Sequence, residues 1–213
     1  ALNGIWYFQK GNTIAPYSEL VVNVHGAIDN TPTYSNSINY ANTAYYCMYD
    51  MEATSSDGGK YNNTRYYPSP ADVIATNHYL KAVKYGKSNA WPMSQTSPAV
   101  ILFRTEDITP KQFGENPDNI IYPTGNEGNI VYACLKMPRR WVIDAMEVYN
   151  ATALAKCKKR LTPDLDNGYA TLTGGYGHSL IRKVEKTVDG HAIYQDTNNS
   201  TNDFYEADNC SLR

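Results

Sequence analysis

The sequence predicts a mainly β protein, a β-sandwich with long polar loops and one or two short helices. Three observations carry this. The apolar runs are short and rich in β-branched and aromatic residues, as in Leu20-Val21-Val22-Asn23-Val24 and Val100-Ile101-Leu102-Phe103. The connections between them are long and full of Asn, Ser, Thr, Gly and Pro, which suits a sandwich with elaborated loops. Aromatic usage is lopsided, with 19 Tyr against 4 Phe and 3 Trp. Tyr suits half-wet strands, because its ring packs while its hydroxyl reaches water.

With 213 residues the chain has room for one large β domain or two small ones, and one domain over residues 1–213 with insertions is expected. Hydrophobic residues make up 42% and charged residues 19%, too apolar a balance for disorder. The net charge of −2 supplies no basic field for nucleic acid or an anionic membrane. No run approaches the roughly 18 apolar residues of a membrane span.

In chain order, Ile5-Trp6-Tyr7-Phe8 reads as a strand. Gly11-Asn12-Thr13 turns the chain, Ala15-Pro16-Tyr17-Ser18 sets up a second turn, and Glu19 to Val24 completes a hairpin over residues 4–24. The opening Ala1-Leu2-Asn3-Gly4 has no polar lead-in and reads as entry inside a strand, so a first strand is expected to be missing from this chain. Residues 27–68 form one long polar excursion with a short apolar island from Ala44 to Met51. Ser69-Pro70-Ala71-Asp72 starts a helix: Ser69 suits the N-cap, Pro70 the first helical position and Asp72 the first turn. Val73, Ile74, Leu80 and Val83 share a helical face, and Gly86 stops it. The alternative is an irregular loop carrying a single helical turn.

Pro98 to Arg104 has the composition of a central strand buried on both faces, and Asn129 to Leu135 reads the same way. Trp141 to Tyr149 is β-branched enough for a strand, whereas Ala151 to Arg160 suits a helix. His178 to Val184 is a penultimate strand, and a turn at Asp189-Gly190 leads into Ala192-Ile193-Tyr194-Gln195.

Taken together, Ala15 to Val22, Trp141 to Glu147, Ser179-Leu180-Ile181-Arg182-Lys183 and Asp196-Thr197-Asn198-Asn199-Ser200-Thr201-Asn202-Asp203-Phe204 resemble a domain-of-unknown-function family of gut Bacteroidetes. The C-terminal block is the specific part, and the resemblance covers residues 2–205. Proteins of that kind are surface lipoproteins with a core similar to the immunoglobulin-like lamin-tail domain. The resemblance implies an extracytoplasmic, outer-membrane location and a non-catalytic role beside nutrient-uptake machinery. Membrane attachment would run only through a lipid anchor, which is expected to be absent from this chain. The family offers no catalytic residue to carry over.

Candidate sites follow from chemistry. Tyr34, Tyr40, Tyr45, Tyr46, Tyr61, Tyr66 and Tyr67 line the polar excursion, and rings with amides around them suit a glycan or peptide ligand. The bland alternative is a Tyr-rich β surface. Asp196, Asn198, Asn202 and Asp203 gather oxygen ligands of the kind calcium prefers. Against a calcium loop, Thr201 stands where an EF-hand needs Gly and no Glu closes the motif, so these side chains equally suit turn caps. No other cofactor is expected. In the turn-cap reading the block is a structural lock, with Phe204 inserted into the core and Asp196 and Asp203 capping backbone N–H groups.

His25, His78, His178 and His191 show no metal-ligand spacing. Ser179 lacks a nucleophile elbow. Gly174-Gly175-Tyr176-Gly177 is no phosphate loop. Asp144 and Glu147 are close in sequence with nothing else to make them a glycosidase pair. Cys47, Cys134, Cys157 and Cys210 contain no CxxC, and three disulfide pairings or free thiols stay open. Asn62, Asn150, Asn198, Asn199 and Asn209 stand in N-x-Ser/Thr patterns that mark polar loops. The expected function is that of a non-catalytic surface accessory or binding protein for a glycan, peptide or outer-membrane partner. The alternatives are a structural or adhesive subunit completed by strand addition, and an undetected hydrolase.

Overall fold

The structure, a computed structural model, describes residues 4–24, 29–42, 44–48, 50, 52, 76–84, 96–122, 124–129, 133–174 and 177–210. Strand β1 spans Gly4–Tyr7, β2 Val22–Asn23, β3 Tyr46–Cys47 and β4 Lys81–Lys84. Strand β5 spans Ala99–Phe103, helix α1 Pro110–Glu115, β6 Ile120–Ile121 and β7 Cys134–Leu135. Strand β8, Val142–Asn150, is followed by β9 at Ala170–Leu172, β10 at Ser179–Arg182, β11 at Val184–Val188 and β12 at His191–Tyr194. Helix α2, Ser200–Asp203, leads directly into β13, Phe204–Ala207. The described chain is thus mainly β, in small sheets, with few and short helices.

It forms two compact units. One comprises Ala1–Asp29, Asn39–Pro92 and Arg104–Trp141; the other comprises Asn30–Ile38, Met93–Phe103 and Val142–Arg213.

In the first unit β1 pairs antiparallel with β4, in register from Gly4↔Lys84 to Tyr7↔Lys81, and β2 pairs parallel with β3. The expected hairpin over residues 4–24 does not form. Its first half takes a partner far along the chain, and its second half keeps only two strand residues. The turn between them does form: Ser18 N–H donates to the Ala15 carbonyl at 3.2 Å, with Pro16 at its second position and Tyr17 at a φ of 58°. Leu80 and Val83, expected on a helical face, sit in or beside β4, and one helical turn at Thr76–His78 precedes them. The helix start at Ser69–Asp72 lies outside the described residues.

Helix α1 went unread in the sequence although its signature is complete. Thr109 is the N-cap and forms a reciprocal capping box with Gln112, while Pro110 occupies the first position. The helix buries Phe113, whose ring meets the Trp141 ring edge-on at 4.9 Å. It lies so close to β4 that a Cβ on Gly114 would meet Val83 Cβ at 2.9 Å.

In the second unit β8 is the centre of a three-stranded sheet, antiparallel to β5 and parallel to β9. Trp141 to Tyr149 therefore resolves in favour of a strand, and Ala151–Lys156 forms 3₁₀ turns kinked at Ala153. Strand β5 is not buried on both faces. Val100 and Leu102 are 44% and 53% exposed, because alternate side chains of the strand point away from the core. Strands β10 and β13 pair antiparallel, as do β11 and β12. The latter hairpin turns through Asp189 and Gly190, both at positive φ, as the sequence predicts.

Candidate functional site

The second unit holds a half-open cleft of about 460 Å³ between the chain entering β9, helix α2 and strand β13. Its construction begins with a buried carboxylate. Asp166, fully buried, accepts the N–H groups of Gly168 and Ser200 at 2.9 and 2.8 Å, the Ser200 hydroxyl at 2.6 Å and the Glu147 N–H at 2.9 Å. One side chain thus ties β8, the approach to β9 and the start of α2 together. Thr201 completes the junction. Its Oγ1 accepts the Tyr169 N–H at 3.1 Å and donates to the Tyr169 carbonyl at 2.8 Å. Gly168 is required by this closeness, since a Cβ there would lie 2.0 Å from Asn199 Oδ1.

Asn199 caps α2 by accepting the Thr201 N–H, and Asn198, at a φ of 52°, turns the chain just before it. Asp203, at the end of α2, is buried and accepts from Thr197 N–H at 2.9 Å, Thr197 Oγ1 at 2.8 Å, Gln195 Nε2 at 3.1 Å and Asn199 N–H at 3.3 Å. Burial pushes its carboxyl up, but these donors together outweigh burial and hold it below its ordinary value.

The cleft walls are aromatic, amide and hydroxyl groups. Tyr169 stacks on buried Tyr149 at 4.0 Å and 8° while keeping 37% of its own surface exposed. Tyr205, 46% exposed, Asn167, Asn199 and Asn202 also line it, with Thr171 and Thr201 beside them. Burial raises the Tyr149 hydroxyl's pKa, with the Glu147 charge adding to it. Phe204 lines the cleft and is half-buried, with the Arg182 guanidinium 4.8 Å above its ring. That corrects the expectation of a fully inserted Phe204. Arg182 in turn donates to Asp144 Oδ2 at 2.6 Å.

Glu206 completes the wall. It accepts the Thr173 N–H at 3.0 Å and the Thr173 hydroxyl, and its Oε1 lies 2.7 Å from His178 Nδ1. The Thr173 hydroxyl above all, then its N–H and His178, hold the Glu206 carboxyl below its ordinary value against a partial burial effect.

The residues singled out in sequence fall as follows. Tyr34 is exposed in the second unit, and Tyr40 and Tyr45 are half-buried in the first. Tyr46 is a packing residue of the first unit. Its ring stacks on His78 at 4.2 Å and its hydroxyl donates to Asn12 Oδ1 at 2.9 Å. Tyr61, Tyr66 and Tyr67 lie outside the described residues, as does His25. Of the four oxygen-bearing side chains weighed for calcium, Asp203 spends both oxygens on protein donors and Asp196 Oδ1 accepts the Asn198 N–H at 3.3 Å. Among the described residues no group of three or more His, Cys, Asp or Glu is placed to hold a metal ion.

Asp144 and Glu147 have separate partners. Glu147 is fully buried and accepts from Lys159 Nζ, from Arg160 N–H at 2.5 Å and from Leu161 N–H at 3.3 Å. The four cysteines are free thiols, and burial pushes the Cys47 thiol up to about 12. No helix among the described residues is long and apolar enough to cross a membrane. Sequence reasoning missed Asp166, Tyr169 and Tyr205; the Asp166-Asn167-Gly168 turn signature was the one local signal available.

No curated protein and no solved structure matches the chain. A family model does, over residues 15–211. The chain belongs to DUF4876, a family described as proteins of unknown function.

Proposed function

We propose that this protein is a non-catalytic bacterial cell-surface binding protein that takes a glycan in the cleft beside β9 and β13. It would act in glycan uptake at the outer membrane, on an immunoglobulin-like, lamin-tail-like β-sandwich. The observation that carries the reading is the lining itself. Exposed faces of Tyr169 and Tyr205 offer apolar platforms of the kind sugar rings stack on, and the side chains of Asn167, Asn202 and Thr171 offer donors and acceptors at their edges. Binding rather than catalysis is supported by the buried carboxylates Glu147, Asp166 and Asp203, whose oxygens are engaged by backbone and side-chain donors of the fold. The envelope location rests on the resemblance of the terminal block to Bacteroidetes surface lipoproteins.

The test is a glycan and peptide array probed with the parent and with Tyr169→Ala. Glycan binding lost in the variant, at unchanged folding, supports the reading. Binding of peptides alone, or glycan binding that the variant retains, contradicts it.

A second reading, a structural subunit joined by strand addition, is favoured by one feature. Among the described residues β5 stands at the edge of its three-stranded sheet.

A further inference from the structure

The net charge of −2 averages over a local excess of the opposite sign. The segment that joins β8 to β9 carries Lys156, Lys158, Lys159 and Arg160, and no acid stands between Val148 and Pro163. All four cations are exposed, as are Ala155 and Leu154, the latter at 48%. Lys159 is balanced by buried Glu147. Arg160 Nε donates to the Ser97 carbonyl at 3.0 Å, a bond that steadies the guanidinium and leaves its charge in place. Among the described residues Lys156 and Lys158 form no ion pair. Three cations thus stand against one exposed acid close in sequence, Asp164. The backbone that carries them is tied down. Asn150 accepts the Thr152 N–H at 2.9 Å, the Cys157 thiol donates to the Thr96 carbonyl at 3.1 Å, and Lys158 N–H donates to Ser97 Oγ at 3.4 Å. Little ordering of the chain would be needed for the cations to act together.

We propose that this segment is a contact to an anionic lipid surface, with Lys156, Lys158 and Arg160 on head-group phosphates and Leu154 at the boundary with the acyl chains. Charge complementarity gives the attraction, and each cation near such a surface strengthens attachment about fivefold. The exposed leucine beside the cations favours lipid over nucleic acid, since an apolar side chain gains at the acyl boundary. From Asn150 to Asp164 there is also no aromatic ring on which a base could stack.

The test is sedimentation of the parent with vesicles of phosphatidylcholine alone and of phosphatidylcholine with about one third phosphatidylglycerol. The parent should bind the anionic vesicles and not the neutral ones, and binding should fall away at about 0.5 M salt. The double variant Lys156→Gln, Lys158→Gln removes two exposed charges and should bind the anionic vesicles roughly 25-fold more weakly. A duplex DNA fragment serves as the competing polyanion. No binding to anionic vesicles, binding that salt or the double variant leaves unchanged, or capture of DNA in preference to the vesicles overturns the inference. Neither lysine lines the cleft, so each of these failures leaves the glycan reading standing.

Discussion

Asp166 accepts both the backbone N–H and the hydroxyl of Ser200, at 2.8 and 2.6 Å, across 34 residues of sequence. Both partners are buried, and the same carboxylate also accepts from Gly168 and Glu147. This pair holds helix α2 against the approach to β9 and so sets the spacing of the cleft.

Asp166→Ala should therefore be severe. It leaves buried donors on Glu147, Gly168 and Ser200 without an acceptor, each worth about 1–3 kcal/mol. A total loss on the order of 3–5 kcal/mol is expected in urea unfolding. Asp166→Asn, which keeps one acceptor oxygen, should lose roughly half as much. An alanine variant as stable as the parent would show that water replaces this junction.

Gly168→Ala tests the same junction by volume. A Cβ would stand 2.6 Å from Thr201 Oγ1 and 2.9 Å from Thr201 N as well as against Asn199, so backbone must move. A loss of about 1–3 kcal/mol is expected from such overpacking. Gly190→Asn is the contrast. Gly190 has positive φ but open space around a Cβ, and Asn tolerates that conformation, so its melting temperature should change little.

The pH dependence of stability carries the signature of Asp203. Its folded pKa lies below the ordinary value of 3.8, so its contribution is fully present above about pH 5 and is lost as pH falls through 3.8 toward the folded pKa. Melting temperature against pH should drop steeply below about pH 4 in the parent. Asp203→Asn should be less stable at pH 7 and show a shallower drop. Parallel curves for the two proteins would assign the acid sensitivity to other groups.

Phe204 is half-buried beneath Arg182, so Phe204→Ala should cost about 1–2 kcal/mol, less than the roughly 3–5 kcal/mol of a fully buried Phe. Phe204→Leu should recover most of it. A loss above about 4 kcal/mol in chemical denaturation would show that the ring is more deeply engaged than its exposure indicates.

What could be read in the sequence was what neighbouring residues decide. The Asp189-Gly190 turn forms because two adjacent residues accept positive φ, and the capping roles of Asp196 and Asp203 follow from short polar side chains beside free N–H groups. Pairing between distant segments was not readable. Strand β1 prefers β4 to the nearer run at Glu19 to Val24, and nothing local to Ile5-Trp6-Tyr7 marks that choice. Composition also misled for β5, where Val100 and Leu102 face outward although the run is apolar throughout. The candidate cleft was half legible. Part of its lining, Asn199, Thr201, Asn202 and Phe204, lies in the block that stood out, whereas Tyr169 enters only through the Thr201 bridge and the stacking on Tyr149.

The central claim is that the cleft beside β9 and β13 is the binding site. The most direct measurement is a titration of the isotopically labelled protein with a neutral oligosaccharide that it binds, followed by amide chemical-shift changes. The account predicts saturable shifts centred on Tyr169, Thr171, Asn202 and Tyr205, with Tyr40, Tyr45 and Tyr46 of the first unit unmoved. Saturable shifts confined to those first-unit tyrosines, with the cleft silent, would contradict it.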